Sequence, residues 1–111
     1  MAVPKTPKPG RPVRSSKTGR PVMAALDLLG RRWALRVLWE LQAEPLGART
    51  LLSRCQGLSP SVLYDRLREL TEAGLIGREG QDYALTNLGR ALGHAIAPLD
   101  TWAKRWAKEI G

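Results

Sequence analysis

From residue 21 onward, apolar residues recur at helical spacing, and each run ends at a recognisable stop. Val22, Ala25, Leu26 and Leu29 predict a first short helix, stopped by Gly30. Ala34, Val37, Leu38 and Leu41 predict a second, with Trp33 and Trp39 at its sides and Pro45 ending it. Pro45-Leu46-Gly47 leaves room only for a single strand bridge. Ala48, Leu51, Leu52 and Cys55 then fall at i, i+3, i+4 and i+7, the stripe of a third helix that Gly57 breaks. Ser59-Pro60 restarts the pattern: Ser is a strong N-cap, and Pro at the first helical position gives up an N–H that would be unpaired anyway. Leu63, Leu67 and Leu70 line the inner side of this fourth helix, and Gly74 closes it.

After Gly74 the period changes. Segments 75–79 and 82–85 are strand-prone and flank Gly80-Gln81, which predicts a tight hairpin with a type II′ turn. Thr86 caps a last long helix. In it Leu88, Leu92, Ala95, Leu99, Trp102 and Trp106 are spaced 4, 3, 4, 3, 4, the rhythm of a helix that packs on another helix. That stripe either packs on its own domain or meets a second copy. Two tryptophans near the end of so small a domain would leave a large apolar patch if uncovered, which favours the dimer. Pro98 predicts a kink or break in the middle.

The predicted fold is mainly α with one small β-hairpin. Two short helices joined by a Gly-containing turn, then a hairpin, make a winged helix-turn-helix, whose second helix can enter a DNA major groove. At 100° per residue from Leu63, the fourth helix turns Ser61, Tyr64, Asp65 and Arg68 away from the core, with Glu69 and Glu72 further along. Ser, Tyr and Arg donate to base edges or phosphates, and Arg grips guanine in a bidentate way. A solvated helix face is the competing reading.

Charge changes the picture mainly through its distribution. The chain of 111 residues carries a net charge of +8, and six of those charges are Lys5, Lys8, Arg11, Arg14, Lys17 and Arg20, in a stretch with no acid. Residues 21–111 hold 12 bases against 10 acids, so the predicted domain is nearly balanced. Residues 1–20, rich in Pro, Gly, Ser and Thr, read as a disordered basic arm of the kind that contacts nucleic acid. Gly-Arg-Pro occurs twice in it, at 10–12 and 19–21. This resembles the core of the AT-hook, although Pro9 and Thr18 stand where that motif has a further Arg. The arm has no apolar core of a secretory signal, and no later run approaches a membrane span, so a cytoplasmic or nucleoid location is expected.

The ordered motifs of residues 21–106 resemble the HxlR-type winged helix-turn-helix transcriptional regulators. The resemblance is carried by Ala25-Leu26-Asp27-Leu28-Leu29-Gly30, Arg32-Trp33 and Leu38-Trp39-Glu40-Leu41. It continues through Leu58-Ser59-Pro60-Ser61-Val62-Leu63, Arg66-Leu67-Arg68-Glu69-Leu70, Ala73-Gly74-Leu75-Ile76, Tyr83-Ala84-Leu85-Thr86 and Leu88-Gly89. Pro98 and Trp102 also fall where that family tends to have Pro and Trp. The resemblance implies a homodimer built from the first and last helices, two recognition helices in successive major grooves, and control of transcription. The dimer contact would then involve Val22, Leu26, Leu92, Leu99, Trp102 and Trp106. Three features depart from the family. Arg20 stands where many members carry a sensing Cys, the hairpin is shorter than the usual wing, and the basic arm is an extension.

The remaining polar residues fill supporting roles. Ser61, Tyr64, Asp65 and Arg68 are the candidate base readers; Ser59, Arg49, Arg54 and Arg78 are the candidate phosphate contacts. Arg49 and Arg54 could equally pair with nearby Glu residues, and Arg31 and Arg32 are weaker candidates of the same kind. Arg90, unfavourably placed in the first turn of its helix, hints at a partner. The lone Cys55 lies on an inner stripe and reads as a small buried hydrophobe, which leaves no intrachain disulfide. His94 has no second ligand at metal spacing, and no nucleophile motif, paired acid/base or phosphate loop occurs, so neither a metal, a cofactor nor an enzyme activity is expected. The expected function is a homodimeric DNA-binding regulator, most simply a repressor on a pseudo-palindromic operator, with double-stranded DNA as partner and no effector named. Two other readings stay open: a winged-helix module that binds protein, and a nucleoid-associated protein whose arm binds DNA with little sequence preference.

Overall fold

The computed structural model describes residues 6–14 and 16–111; Lys5 of the expected arm lies outside them. The order of elements is α1 (Pro21–Leu29), α2 (Ala34–Glu40), α3 (Ala48–Arg54), α4 (Pro60–Glu72), β1 (Ile76–Glu79), β2 (Asp82–Leu85) and α5 (Asn87–Ile110). The caps follow the expected chemistry. The Ser59 hydroxyl accepts from the Val62 N–H at 3.3 Å, and the Thr86 hydroxyl accepts from the Gly89 N–H at 3.1 Å.

The stripes read from the sequence converge on one core. Val37 of α2, Leu51 of α3, Leu63, Leu67 and Leu70 of α4, and Cys55 just after α3 are fully buried. Burial of each such aliphatic side chain contributes roughly 1.5–3 kcal/mol before the entropy of folding is set against it. The core holds α4 rigidly, because its entire inner face is spent there.

β1 and β2 pair antiparallel with Ile76 opposite Leu85 and Glu79 opposite Asp82, and Gly80 takes φ +64° at the turn. Leu46 adds the expected bridge, exchanging two backbone hydrogen bonds with Tyr83 at 3.0 and 2.8 Å. α5 leaves the hairpin at close quarters: a Cβ on Gly89 would stand 2.1 Å from the Leu75 carbonyl oxygen. Only glycine lets the helix start so near β1.

Four findings differ from the sequence reading. Pro98 neither breaks nor ends α5, which runs unbroken for 24 residues. A proline removes one backbone bond, here to the carbonyl of His94; that turn is exposed, so water can take the freed acceptor. Glu69 does not point outward; it is 3% exposed and accepts from both Arg31 and Arg66. Arg90 has its partners inside the chain, donating to the Leu85 carbonyl and to Asn87 Oδ1.

The fourth concerns the arm, whose described residues fold back onto the domain. The buried Thr6 donates its hydroxyl to Glu72 at the end of α4, and the Arg14 N–H donates to Asp27 of α1 at 3.3 Å. Within the arm the Gly10 N–H donates to the Gly19 carbonyl at 2.9 Å, and Val13 and Ser16 exchange hydrogen bonds. The arm therefore runs beside α1 and α4.

Candidate nucleic-acid interface

α4 presents the four side chains expected to read bases. Ser61, Tyr64 and Asp65 are exposed, Tyr64 by 54%, and the Arg68 side chain is 38% exposed. They share the outer side of the helix because Leu63, Leu67 and Leu70 occupy the inner one. Arg68 lies 3.9 Å from Asp65 and 3.6 Å from Glu72 on its own helix. Exposed pairs at these distances contribute about 0–1 kcal/mol, so the guanidinium is held near the face at little cost to its release.

The supporting residues are spread around α4. Arg78 of β1 lays its guanidinium 4.7 Å from the Tyr83 ring centroid, a cation–π contact that holds it on the hairpin. Ser59 spends its hydroxyl as the cap of α4. Arg49 is exposed at the start of α3 and forms no ion pair among the described residues. Arg54 is drawn toward Glu40 at 3.7 Å and Glu44 at 4.0 Å, on the far end of that helix. The structure thus groups Ser59 and Arg78 with the α4 face, while Arg54 sits in an acidic neighbourhood. Of the arm cations, Lys8 is half-buried, and Arg11, Arg14, Lys17 and Arg20 are exposed.

Arg31, Arg66 and Glu69 were not expected to form a group. The Glu69 carboxylate sits between the two guanidiniums and ties the turn before α2 to α4. The neighbouring Trp33 has φ +75°, a left-handed backbone that bulky residues rarely adopt, and packs against the core. Arg32 places its guanidinium 5.8 Å from the Trp33 ring centroid. The sequence signal was the pair Arg31-Arg32 directly after Gly30, but nothing local says which arginine turns inward.

Two titratable groups are displaced. Burial pushes the Cys55 thiol above its ordinary value, against a smaller opposing pull from Arg36. The hydrogen bond from Thr6, with Arg68 and Lys8 nearby, holds the Glu72 carboxyl below its usual range. Among the described residues no group of three His, Cys, Asp or Glu side chains is placed to hold a metal ion, and no helix is long and apolar enough to cross a membrane.

Away from α4, an apolar surface runs over both terminal helices. Val22 and Leu26 of α1 are 63% and 59% exposed, and Leu99, Trp102, Trp106 and Ile110 of α5 are each more than half exposed. The Trp102 and Trp106 rings stack at 5.6 Å. Leu92 is instead half-buried against the core.

Comparison with known proteins agrees with this architecture. The chain is 37% identical over 97 residues to an uncharacterized HTH-type transcriptional regulator of Mycobacterium tuberculosis, an alignment covering 79% of this chain and 60% of that protein. The chain therefore spans about 60% of that relative's length. It is 28% identical over 89 residues to the HTH-type regulator YvaP of Bacillus subtilis, covering 74% and 82% of the two chains. Among solved structures, quinone-bound YodB of Bacillus subtilis superposes with a TM-score of 0.73 at 27% identity, over 76% of this chain and 96% of that one. A protein of Thermoplasma volcanium described as a possible HxlR family transcriptional factor gives 0.68 at 26% identity, over 79% and 85%. The model of the HxlR-like helix-turn-helix family matches residues 28–110. The chain is a winged helix-turn-helix protein and belongs to the HxlR-like helix-turn-helix family.

Proposed function

We propose that the protein is a homodimeric, sequence-specific DNA-binding regulator that represses transcription by occupying a pseudo-palindromic operator. The observation that carries this reading is the outer face of α4, where Ser61, Tyr64, Asp65 and Arg68 stand together on a helix whose other side is locked in the core. Such a helix enters a major groove with its polar side chains against base edges. Arg68 would grip a guanine, and Ser61, Tyr64 and Asp65 would select among neighbouring bases. Ser59, Arg49 and Arg78 would hold the phosphates on either side, with Arg54 a phosphate contact only if it leaves Glu40. The apolar faces of α1 and α5 would meet a second copy, which would set a second α4 one helical turn of DNA away, about 34–36 Å.

Binding-site selection from a random duplex pool tests the reading, together with light scattering on the purified chain. Enrichment of a two-fold symmetric motif by a dimer supports it. A monomer, or a pool that stays random after selection, overturns it. The basic arm favours one other reading, a protein of low sequence preference. In that case binding to operator and random duplex would fall together with added salt.

A further inference from the structure

The arm, the turn before α2 and one flank of α4 enclose an open cleft of about 550 Å³. Five arginines line it: Arg14 from the arm, Arg31 and Arg32 from the turn, and Arg66 and Arg68 from α4. Three carboxylates oppose them, and these are largely engaged. Glu69 is shared by Arg31 and Arg66, Asp27 accepts the Arg14 backbone N–H, and Asp65 lies 3.9 Å from Arg68. Each guanidinium carries five donors, so donors outnumber acceptors in the cleft. Arg66 shows the shortage directly, since its buried Nε finds no acceptor. Arg14 and Arg32 make no side-chain ion pair among the described residues, and both are exposed at the cleft.

Its position on α4 is what gives this cleft a meaning. Counting 100° per residue, Tyr64 and Leu67 lead to one flank, where Arg78 and Tyr83 of the hairpin stand beside them, while Arg68 borders both sides. Asp65, Arg66 and Glu69 lead to the opposite flank, where the arginine cleft lies. A helix in a major groove has a sugar-phosphate strand on each side, about 12 Å apart. The hairpin serves one strand with Arg78. We propose that the cleft seats a backbone phosphate of the other strand, gripped by Arg14 and Arg32. The arm then acts from a docked position, beside α4, and not as a loose tether. Glu69 is a positioning residue here: it fixes Arg31 and Arg66 as the floor and leaves the outer arginines for the phosphate. The inference rests on the DNA-binding reading above and adds to it the phosphate contacts on the side away from the hairpin.

The test uses the full chain and a 30-base-pair duplex of mixed sequence, with affinity followed by fluorescence anisotropy across a potassium chloride series. Each of Arg14→Ala and Arg32→Ala should lower affinity about tenfold at low salt, the size of one charge-assisted hydrogen bond of about 1.5 kcal/mol. Each should also reduce the slope of log K against log salt by about 0.9, one phosphate's share. Arg32→Lys should restore most of the slope, whereas a purely structural role for Arg32 would leave the slope unmoved. Arg105→Ala, far along α5, should change nothing. Wild-type binding with unchanged slopes in both alanine variants overturns this inference and leaves the α4 reading standing. Wild-type failure to bind any duplex overturns both. Saturable binding of inorganic phosphate that Arg32→Ala abolishes, with the duplex slopes unchanged, would assign the cleft to a free anion and overturn the proposal.

Discussion

The carboxylate of Glu69 accepts a hydrogen bond from Arg31, 38 residues earlier in the chain, and so fastens the outer helix of the helix-turn-helix to the turn before α2. Arg66 supplies a second donor to the same carboxylate from within α4. Two guanidiniums on one buried acid leave no neutral way to remove the acid alone.

Glu69→Ala should therefore lower stability by about 3–5 kcal/mol, because it strands Arg31 and Arg66 beside the core. Chemical denaturation checks this. The triple change Arg31→Met, Arg66→Met and Glu69→Leu should cost clearly less than Glu69→Ala, since it removes every charge of the buried group.

Arg68→Ala should reduce affinity for a selected operator by about 1–3 kcal/mol, with little effect on affinity for random duplex. Anisotropy on the two duplexes measures the ratio. Releasing Arg68 from Asp65 and Glu72 is cheap at their exposure, so stability should stay within about 0.5 kcal/mol of wild type.

Trp102→Ala and Trp106→Ala should each weaken self-association by at least about 2 kcal/mol, as truncation of a central interface tryptophan does. Sedimentation equilibrium would show the shift to monomer. The stacked pair makes the two losses non-additive, so the double variant should fall short of the sum.

Cys55 sets a pH dependence. Its folded thiol titrates above the ordinary 9.0, so between that value and the folded one the unfolded chain has lost a proton that the native chain retains. Stability from this group is present below pH 9.0 and declines as pH rises through that window. Denaturation from pH 8 to 10.5 should show a decline that Cys55→Ala reduces. The native thiol should also resist alkylating reagents until the chain unfolds.

The parts legible in the sequence were those decided locally. Ser59 and Thr86 announced helix starts because capping needs only a hydroxyl and an N–H three residues on. The leucine stripes announced the core because one apolar period accounts for one buried face. Glu69 was misread outward, since its burial depends on Arg31, a partner that the pattern of α4 does not contain. Pro98 does not break α5, because the carbonyl it leaves unpaired, that of His94, lies on an exposed turn and the helix continues on both sides. The arm looked unstructured by composition, yet its tethers to Glu72 and Asp27 are made by single residues that composition does not register. The α4 face was placed from angle alone, and its four polar residues do share one side.

α5 is one unbroken rod of 24 residues, about 36 Å long at 1.5 Å per residue, anchored at one end by the fit of Gly89 under Leu75 and carrying its tryptophans toward the other. A rod of that kind works as a ruler with a phase. Inserting one alanine between Pro98 and Leu99 would advance the tryptophans by only 1.5 Å but swing them 100° around the axis, whereas inserting seven would lengthen the rod and return them nearly to their original bearing. Where these tryptophans meet a second copy, as proposed above, tolerance of spacer length in self-association should thus be periodic, in units of whole turns.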